Sequence, residues 1–310
     1  MQARCLTFNN ITESQQSVIE HLISDSFFAS SGFLNLWNSM GGNPVYWVVE
    51  NSEQIIGVLP AVEFGNGKLK RLQALPDGCY GSLFLLHEKI DRQKCTATLF
   101  DALQSHGYVK VFLFDYYNSI TFKGTFDSSI CQTNLVDISS SDWIPPDKKL
   151  QSEIRKAERE NVQIEKFSKD KHFELFIELM QLTEQRHERK PKYTAQFFKT
   201  LVELAEIDSR IIWNICIHKD QAVSSHINFV ESNQILNWQV YFDKQFSHLK
   251  ANQLMLFQLA KSARDMGKQY LNLGASPVDA LALSDYKNKW GCEIYEYNCY
   301  EKKSLLGKLF

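Results

Sequence analysis

The chain has 310 residues, of which 44% are hydrophobic, 13% aromatic and 23% charged, and its formal net charge at pH 7 is −2. The length predicts two packed domains, and the composition is that of a folded globular protein, which excludes extensive disorder. The nearly neutral balance excludes a broad basic surface for nonspecific DNA binding.

The sequence also gives expectations for membrane spans, cellular location and metal binding. No stretch approaches the roughly 18 apolar residues that a membrane span requires, and the opening residues contain no apolar h-region. We therefore expect no membrane span and a cytoplasmic location. The seven cysteines contain no C-x-x-C pair, so we expect reduced thiols. The histidines show no H-E-x-x-H or similar spacing, and no metal site is predicted.

Hydrophobic periodicity organises the N-terminal half. It predicts a helix near 13–24, strands near 45–50, 54–63 and 67–73, a helix near 91–105 and a strand near 108–114. Asn66-Gly67 between two strand-like runs predicts a β-hairpin rather than a phosphate loop. The alternation of helices and strands predicts an α/β class with α+β layers, in which mixed central sheets are flanked by helices.

The second half repeats the pattern of the first. The run from Trp47 to Val58 corresponds to the run from Trp213 to Ser224, and the Leu99–Leu113 segment corresponds to Leu256–Leu273. The offsets lie between 157 and 167 residues. Such a repeat predicts two similar domains, although strand–turn–strand patterns are common enough that coincidence is the alternative.

A Pro145-Pro146 linker separates the halves, because proline cannot continue a helix. We therefore predict domains at 1–146 and 147–310, with the last strand able to pack back on the first domain. The second domain starts with a basic helix whose apolar stripe consists of Leu150, Ile154 and Ala157. Its basic face is either a solvated surface or a surface that contacts RNA or phosphate.

The C-terminal half contains a strand over 235–242 that leads through a polar turn into a helix. A helix N-terminus presents backbone N–H groups that favour an anionic ligand. Lys250 and Asn252 at this junction are the candidate donor-binding residues. The junction is also a common feature of α/β proteins without such a ligand.

A further helix is predicted to begin with Ser276 as N-cap and Pro277 at its first position. It carries Tyr286 and Trp290 on one apolar stripe, with Lys287 at the border. Spacing leaves two interpretations of Lys287 open, a side chain that reaches into a cleft and a surface lysine whose stem covers apolar surface.

Three segments together resemble a known family: Lys149–Val162, Asn272–Ser276 and Tyr286–Gly291. Their order and motifs resemble those of the Fem-like aminoacyltransferases and of tandem-domain acyltransferases of the GNAT superfamily. The N-terminal half matches more loosely, at Ala74-Leu75-Pro76 and Tyr80-Gly81. The resemblance covers nearly the whole chain, but each motif is short.

The resemblance implies a tandem GNAT fold that moves an acyl or aminoacyl group from a thioester or an aminoacyl-tRNA to an amine. In Fem-like enzymes the lysine of the "FK" motif stabilises negative charge when the acyl carbonyl is attacked. The matching residue is Lys287, with Tyr286 in place of Phe. A cation aimed at a developing oxyanion is a sound catalytic role.

Two departures from the family pattern leave the identity of the acyl donor open between acyl-CoA and aminoacyl-tRNA. The turn from Gln245 to Asn252 contains no glycine, whereas acetyl-CoA sites usually need glycine for close approach to the pyrophosphate. The chain also has no long charged helical arm, so tRNA use lacks support. No cofactor is predicted with certainty.

The remaining candidates are polar or aromatic residues near the expected cleft. For removing a proton from the acceptor amine we consider His226, Tyr241 and Asp243. His226 and Tyr241 are alternatively core residues. Arg189 is a candidate for binding a phosphate or carboxylate, or lies in a solvated loop. The other candidates for substrate binding are Tyr286, Gln239 and Tyr80.

Three functions fit these residues. The first is transfer of an acyl or aminoacyl group to an amine on a cell-envelope precursor, peptide or sugar. The second is a CoA-dependent N-acetyl- or N-acyltransferase that acts on a small amine. The third is a noncatalytic binding module that keeps the tandem fold as a scaffold.

Overall fold

The structure is a computed structural model that describes residues 1–76, 79–120, 124–277 and 279–304. The first part of the chain contains, in order, β1 (Gln2–Thr7), α1 (Glu13–Leu22), α2 (Ser31–Asn35), β2 (Gly42–Asn51), β3 (Gln54–Phe64), β4 (Arg71–Ala74), β5 (Phe84–Leu85), α3 (Arg92–Ser105), β6 (Lys110–Asp115) and β7 (Asp127–Asp137). The second part contains α4 (Lys148–Arg159), β8 (Gln163–Lys166), α5 (Lys169–Arg186), α6 (Ala195–Ile207), β9 (Ile211–His218), β10 (Gln221–Glu231), β11 (Gln234–Phe242), α7 (Ala251–Asp265), β12 (Tyr270–Asn272), α8 (Leu281–Asn288) and β13 (Glu293–Lys303).

The chain forms two compact units whose borders differ from the predicted division at residues 146 and 147. Unit 1 is Met1–Cys131 together with the segment that starts at Glu296, and unit 2 is Gln132–Tyr295. Strand pairing explains the difference. The end of β7 pairs with β12 in unit 2, and β13 pairs with β6 in unit 1. The Pro145-Pro146 linker therefore lies inside unit 2.

The sheet of unit 1 has the strand order β1-β2-β3-β4-β6-β13. Its neighbours are antiparallel except for β4 and β6, which run parallel. Helix α3 connects β4 and β6 in the chain and packs on β1 and β2. The core of the unit includes Trp47, Leu99 and Phe100, each at most 2% exposed.

The sheet of unit 2 repeats this order with β8-β9-β10-β11-β12 and the end of β7. Only β11 and β12 run parallel, and all other neighbours are antiparallel. Helix α7 occupies the place that α3 has in unit 1. Trp47 of β2 and Trp213 of β9 hold equivalent places, so the predicted internal repeat is present in the fold.

The apolar stripe of α4 is buried as predicted. Leu150, Ile154 and Ala157 pack with residues of α7 and with Trp290, which is fully buried. Asp147 caps the helix by accepting a hydrogen bond from the Leu150 N–H at 2.7 Å. Asn161, with φ of +54°, follows the helix in the left-handed conformation.

The predicted hairpin around Asn66-Gly67 is confirmed, because β3 and β4 pair antiparallel across it. The predicted helix start at Ser276 is wrong, since α8 begins at Leu281 and its N-cap Ala280 makes no side-chain cap. The preceding residues are held by β7 instead. The Leu273 N–H donates to the Asn134 carbonyl, and the Asn134 side chain lies within hydrogen-bond distance of the Ser276 hydroxyl.

The expectation of seven reduced thiols is also wrong. Cys131 of β7 and Cys299 of β13 form a disulfide within unit 1, with their Cα atoms 6.2 Å apart. They are separated by 168 residues, so sequence spacing gives no indication of the pair. The free cysteines are Cys5, Cys79, Cys95, Cys216 and Cys292. None of the helices in the described parts of the chain is long and apolar enough to cross a membrane.

Candidate active site

Strands β11 and β12 of unit 2 separate after a short parallel contact. They pair only at three positions, from Gln234 with Tyr270 to Leu236 with Asn272. Strand β11 continues to Phe242 and stays paired with β10 on its other side. No strand in the described part of unit 2 covers β11 after Leu236 on the β12 side. We call this edge, residues 237–242, the open edge of β11.

A β-bulge bends β11 at the start of the open edge. Ile227 of β10 pairs with Gln239, but the next residue, Asn228, pairs with Asn237, so Trp238 is the extra residue. A bulge increases the local twist and turns the strand away from its former direction. It therefore contributes to the separation of β11 from β12.

The C-terminal end of α5 caps the far end of the open edge. The Asp243 N–H donates to the Val223 carbonyl on β10, so the backbone groups of Phe242 face the opposite edge. There the Phe242 N–H donates to the Thr183 hydroxyl at 3.0 Å, and Arg186 donates to the Phe242 carbonyl at 3.1 Å. Because the backbone N–H and C=O groups of successive residues in a strand point to opposite edges, those of Val240, two residues before Phe242, also face the open edge.

A buried carboxylate lies next to this cap. Glu184 is 3% exposed and accepts hydrogen bonds from the Nε and Nη2 atoms of Arg189. The Arg189 side chain is 59% exposed, so its remaining N–H groups face solvent. The Glu184 hydrogen bond raises the pKa of Arg189. Sequence reasoning missed Glu184, although a carboxylate five residues before an arginine across a helix end was a visible pattern.

Tyr241 belongs to the same neighbourhood but is part of the core. Its ring packs edge-on against Phe176 at 5.3 Å and Phe198 at 6.0 Å. Burial raises the pKa of its phenol, and the negative charge of Glu184 adds to the effect. Tyr241 therefore stays protonated near neutral pH.

The first turn of α7 forms another side of the site. Lys250 takes φ of +60° directly before the helix, where glycine would be unstrained. Its ammonium lies 3.1 Å from Glu153 of α4, and Gln253 donates to the same carboxylate. Residues Lys244–Leu249 of the glycine-free turn form a 3-10 helix. A carboxylate near the helix N-terminus weakens its attraction for phosphate.

Asn252 in this turn contacts His226 of β10. The His226 Nε2 atom lies 3.1 Å from Asn252 Oδ1, and the Ser224 hydroxyl donates to the same oxygen. His226 is 2% exposed, and burial lowers its pKa to about 4. At neutral pH the ring is uncharged and shielded from solvent.

Lys287 of α8 lies at the end of β12. Its Nζ atom donates to the Gly274 carbonyl at 2.9 Å and to the Ala275 carbonyl at 2.7 Å. The Asn134 backbone and side-chain amides also donate to the Gly274 carbonyl, which ties the loop to β7. Lys287 is 4% exposed, and burial lowers its pKa to about 8. Two of the three ammonium N–H groups are used by the loop, and no acceptor for the third lies among the described residues.

Tyr286 and Trp290 support this helix. Their rings meet edge-on at 6.3 Å, and Trp290 is buried in the unit 2 core. Gly291 has φ of +77°, and a Cβ atom there would lie 3.0 Å from Pro146. A groove of about 570 Å³ lies beside the same helix, lined by Pro146, Asp147, Asp285, Asn288 and Lys289. Lys287 is not among its lining residues.

The remaining predicted substrate-binding residues are Gln239 in unit 2 and Tyr80 in unit 1. Gln239 is half-buried on the open edge of β11, paired with Ile227. Tyr80 lies in unit 1, where its ring stacks on Tyr116 at 4.0 Å and meets Tyr297 edge-on at 6.0 Å. Within the described residues, no group of three or more His, Cys, Asp or Glu side chains is arranged to hold a metal ion.

Comparison with known proteins identifies the class to which this protein belongs. Residues 147–288 match the family model described as an acetyltransferase (GNAT) domain. The crystal structure of FemX aligns over 96% of this chain and 97% of its own, with a TM-score of 0.69 and 11% identity. No curated protein matches the sequence.

Two other solved structures agree in fold. The C-terminal domain of a putative lysylphosphatidylglycerol synthetase from Agrobacterium fabrum has a TM-score of 0.61 and 11% identity, over 95% of this chain and 94% of its own. A tandem GNAT protein from the clavulanic acid biosynthesis pathway has a TM-score of 0.57 and 9% identity, over 97% of this chain and 98% of its own.

The fold is therefore a tandem GNAT fold of the Fem-like kind, as predicted from the sequence. With the GNAT domain match in its C-terminal half, the protein is an acyltransferase.

Proposed function

We propose that the protein transfers an acyl or aminoacyl group to the amine of a cell-envelope precursor or peptide, and that Lys287 stabilises the oxyanion of this reaction. The observation that carries the proposal is the Lys287 ammonium, which is buried and fixed by two carbonyls at the end of β12. The C-terminal ends of β11 and β12 point to the same edge of the sheet, which is where open α/β sheets bind ligands.

In the proposed reaction the amine nitrogen attacks the carbonyl carbon of the acyl donor. A C–N bond forms, and the carbonyl oxygen becomes an oxyanion that accepts the third Lys287 N–H. A fixed cation in a buried site stabilises this charge more than it stabilises the neutral carbonyl. The bond to the leaving oxygen or sulfur then breaks, and the amine proton passes to that atom.

Neither His226 nor Tyr241 suits the removal of this proton at neutral pH, and the Asp243 carboxylate serves as the acceptor of the Gln245 N–H. Burial lowers the pKa of His226 to about 4, and no ionised group contacts the ring. Burial raises the pKa of Tyr241, so its phenolate is scarce. We therefore assign the proton to the leaving group and give the two residues noncatalytic places in the site.

The acceptor is proposed to carry an anionic group that binds Arg189. Buried Glu184 holds the guanidinium by its Nε side and leaves the outer N–H groups for a carboxylate or phosphate. Cell-envelope precursors and peptides both carry such groups. A small neutral amine would leave this feature without a role.

The donor is proposed to lie along the open edge of β11, where Val240 offers a backbone N–H and C=O. The pairing of Lys250 with Glu153 favours a donor that does not depend on phosphate binding at α7. An aminoacyl ester, such as aminoacyl-tRNA, fits this better than CoA does. One of the structures with this fold is named as a lysylphosphatidylglycerol synthetase domain, which agrees with aminoacyl transfer.

The alternative is a CoA-dependent N-acyltransferase, which is favoured by the match of residues 147–288 to the acetyltransferase (GNAT) family. A noncatalytic scaffold is the third hypothesis.

The test uses the purified full chain with radiolabelled acetyl-CoA in one arm and labelled aminoacyl-tRNA in the other, each with a peptidoglycan precursor as acceptor. We expect transfer in the aminoacyl-tRNA arm, and Lys287→Met is expected to reduce the rate by about 100-fold or more, the usual effect of losing an oxyanion donor. Lys261→Met, at an exposed lysine of α7, serves as the control and keeps the wild-type rate.

Transfer only from acetyl-CoA would establish the alternative donor. A folded Lys287→Met variant with the wild-type rate would contradict the role of Lys287. Absence of transfer in both arms would contradict the proposed function and leave the scaffold hypothesis.

A further inference from the structure

His226 is a buried histidine that packing alone does not explain. It is uncharged at neutral pH and carries one N–H. Because Asn252 Oδ1 only accepts, this N–H belongs to Nε2, which contacts it at 3.1 Å. Nδ1 is then a buried acceptor, and it has no hydrogen-bond donor among the described residues. Such an acceptor destabilises a fold, and an apolar side chain would avoid the cost.

The partner of His226 is held in one orientation. Asn252 Oδ1 receives hydrogen bonds from both Ser224 and His226, so the oxygen of the carboxamide is turned toward β10. The Nδ2 group is consequently turned away from β10. Asn252 is half-buried, and no described residue accepts a hydrogen bond from Nδ2.

The Nδ2 group of Asn252 also lies at a place suitable for binding a ligand, the first turn of α7. Asn252 is the second residue of α7, where the backbone N–H groups of the first turn have no partners inside the helix. Helix α7 packs on β10 and β11, and Val240, the cross-strand partner of His226, faces the open edge. The Nδ2 group of Asn252 therefore adds a hydrogen-bond donor to the backbone N–H groups at the start of α7. These groups lie beside the open edge of β11, to which the acyl donor is assigned.

We propose that His226 is a positioning residue that fixes the Asn252 carboxamide, whose Nδ2 then donates a hydrogen bond to the acyl donor. The ligand group is a carbonyl oxygen of that donor. This inference rests on the proposed acyl-transfer function, and it gives His226 a role in donor binding rather than in proton transfer.

The test compares two substitutions of His226. His226→Leu removes the N–H, whereas the side-chain amide of His226→Gln places a donor near the position of Nε2. His21→Gln, at an exposed histidine of α1 in unit 1, is the matched control. The KM for the donor and kcat are measured with the donor that the wild-type chain uses, aminoacyl-tRNA or acetyl-CoA.

We expect His226→Leu to raise the donor KM about tenfold, as for one lost hydrogen bond, with kcat nearly unchanged. His226→Gln is expected to restore a KM close to that of the wild-type chain. An unchanged donor KM in His226→Leu would overturn the inference. Equal loss of kcat in both variants would also overturn it, because that result is expected of a general base.

A second measurement is independent of turnover. In NMR spectra of the wild-type chain, the Nε2 proton of His226 is expected to exchange slowly with solvent because it is buried and donates to Asn252 Oδ1, and Asn252→Ala is expected to accelerate this exchange. Identical exchange of this proton in folded wild-type and Asn252→Ala protein would overturn the inference. If the wild-type chain transferred nothing, the proposed function would fail, while this measurement would still decide whether His226 fixes Asn252.

Discussion

The charge of Lys287 is the residue-scale property on which the proposed chemistry depends. Burial lowers its pKa from the ordinary 10.5 to about 8, so the side chain is mainly an ammonium at pH 7 and loses its proton as the pH rises through 8. An oxyanion is stabilised only by the charged form. The contribution of Lys287 to the rate should therefore fall above pH 8, whereas that of a lysine acting as a base would rise over the same range.

Residue identities were easier to predict than residue environments. Lys287 was identified from its motif, but its two carbonyl partners come from a loop that precedes it by 12 and 13 positions. Arg189 was selected for its charge, and its buried partner Glu184 was not foreseen. His226 was expected to be either a base or a core residue. Its contact with Asn252 depends on how α7 packs on β10, which one sequence does not reveal.

At the scale of elements, the open edge of β11 is held in shape by α5. The Thr183 hydroxyl accepts from the Phe242 N–H at 3.0 Å and lies 3.3 Å from the Phe242 carbonyl. We expect Thr183→Val to lower the free energy of unfolding by about 1–3 kcal/mol, because a backbone N–H of the strand end loses its acceptor. Urea unfolding measures the change.

The matched control is Thr200→Val in α6, where the hydroxyl bonds only within its own helix, to Gln196. We expect its effect to stay within about 0.5 kcal/mol. Equal stabilities of the Thr183→Val and wild-type proteins would show that α5 does not support the edge.

Most elements followed from local patterns, but their pairing did not. The strands at 45–50 and 54–63 and the helix at 91–105 were predicted within a few residues of β2, β3 and α3. The bulge at Trp238 leaves no trace in the alternation of apolar residues. The separation of β11 from β12 is set by which strands meet, and the start of α8 is displaced because its leading loop bonds to β7.

At the scale of the whole molecule, the repeat predicted the fold class but not the course of the chain. Along the main sheet path of the described residues, each unit has five strands from its own half and a sixth from elsewhere in the chain, β13 in unit 1 and the end of β7 in unit 2, while β5 pairs with β3 beside this path. The predicted division at Pro146 does not include the pairing of β7 with unit 2, whereas the expectation that the last strand can pack back on the first domain agrees with the place of β13. Cys131 and Cys299 become neighbours in unit 1 because of it.

The disulfide gives a prediction at this scale. Alkylation of the air-oxidised chain, denatured without reductant, is expected to modify five of the seven cysteines, and prior reduction is expected to expose all seven. Reduction should also destabilise the protein, by at most about 5 kcal/mol for so long a loop. Seven alkylated cysteines in the unreduced chain, counted by mass spectrometry, would contradict the pairing.

The pH dependence of transfer tests the central claim most directly. The rate constant of the wild-type chain is measured from pH 6 to 10 beside that of Lys287→Arg, whose guanidinium stays charged throughout. Deprotonation of the acceptor amine raises both rates with pH, so the ratio of the two rates is compared. We predict that the wild-type rate falls relative to the Lys287→Arg rate as the pH passes about 8. A ratio that stays constant or rises through pH 8 would contradict the assignment of Lys287 as the cation that stabilises the oxyanion.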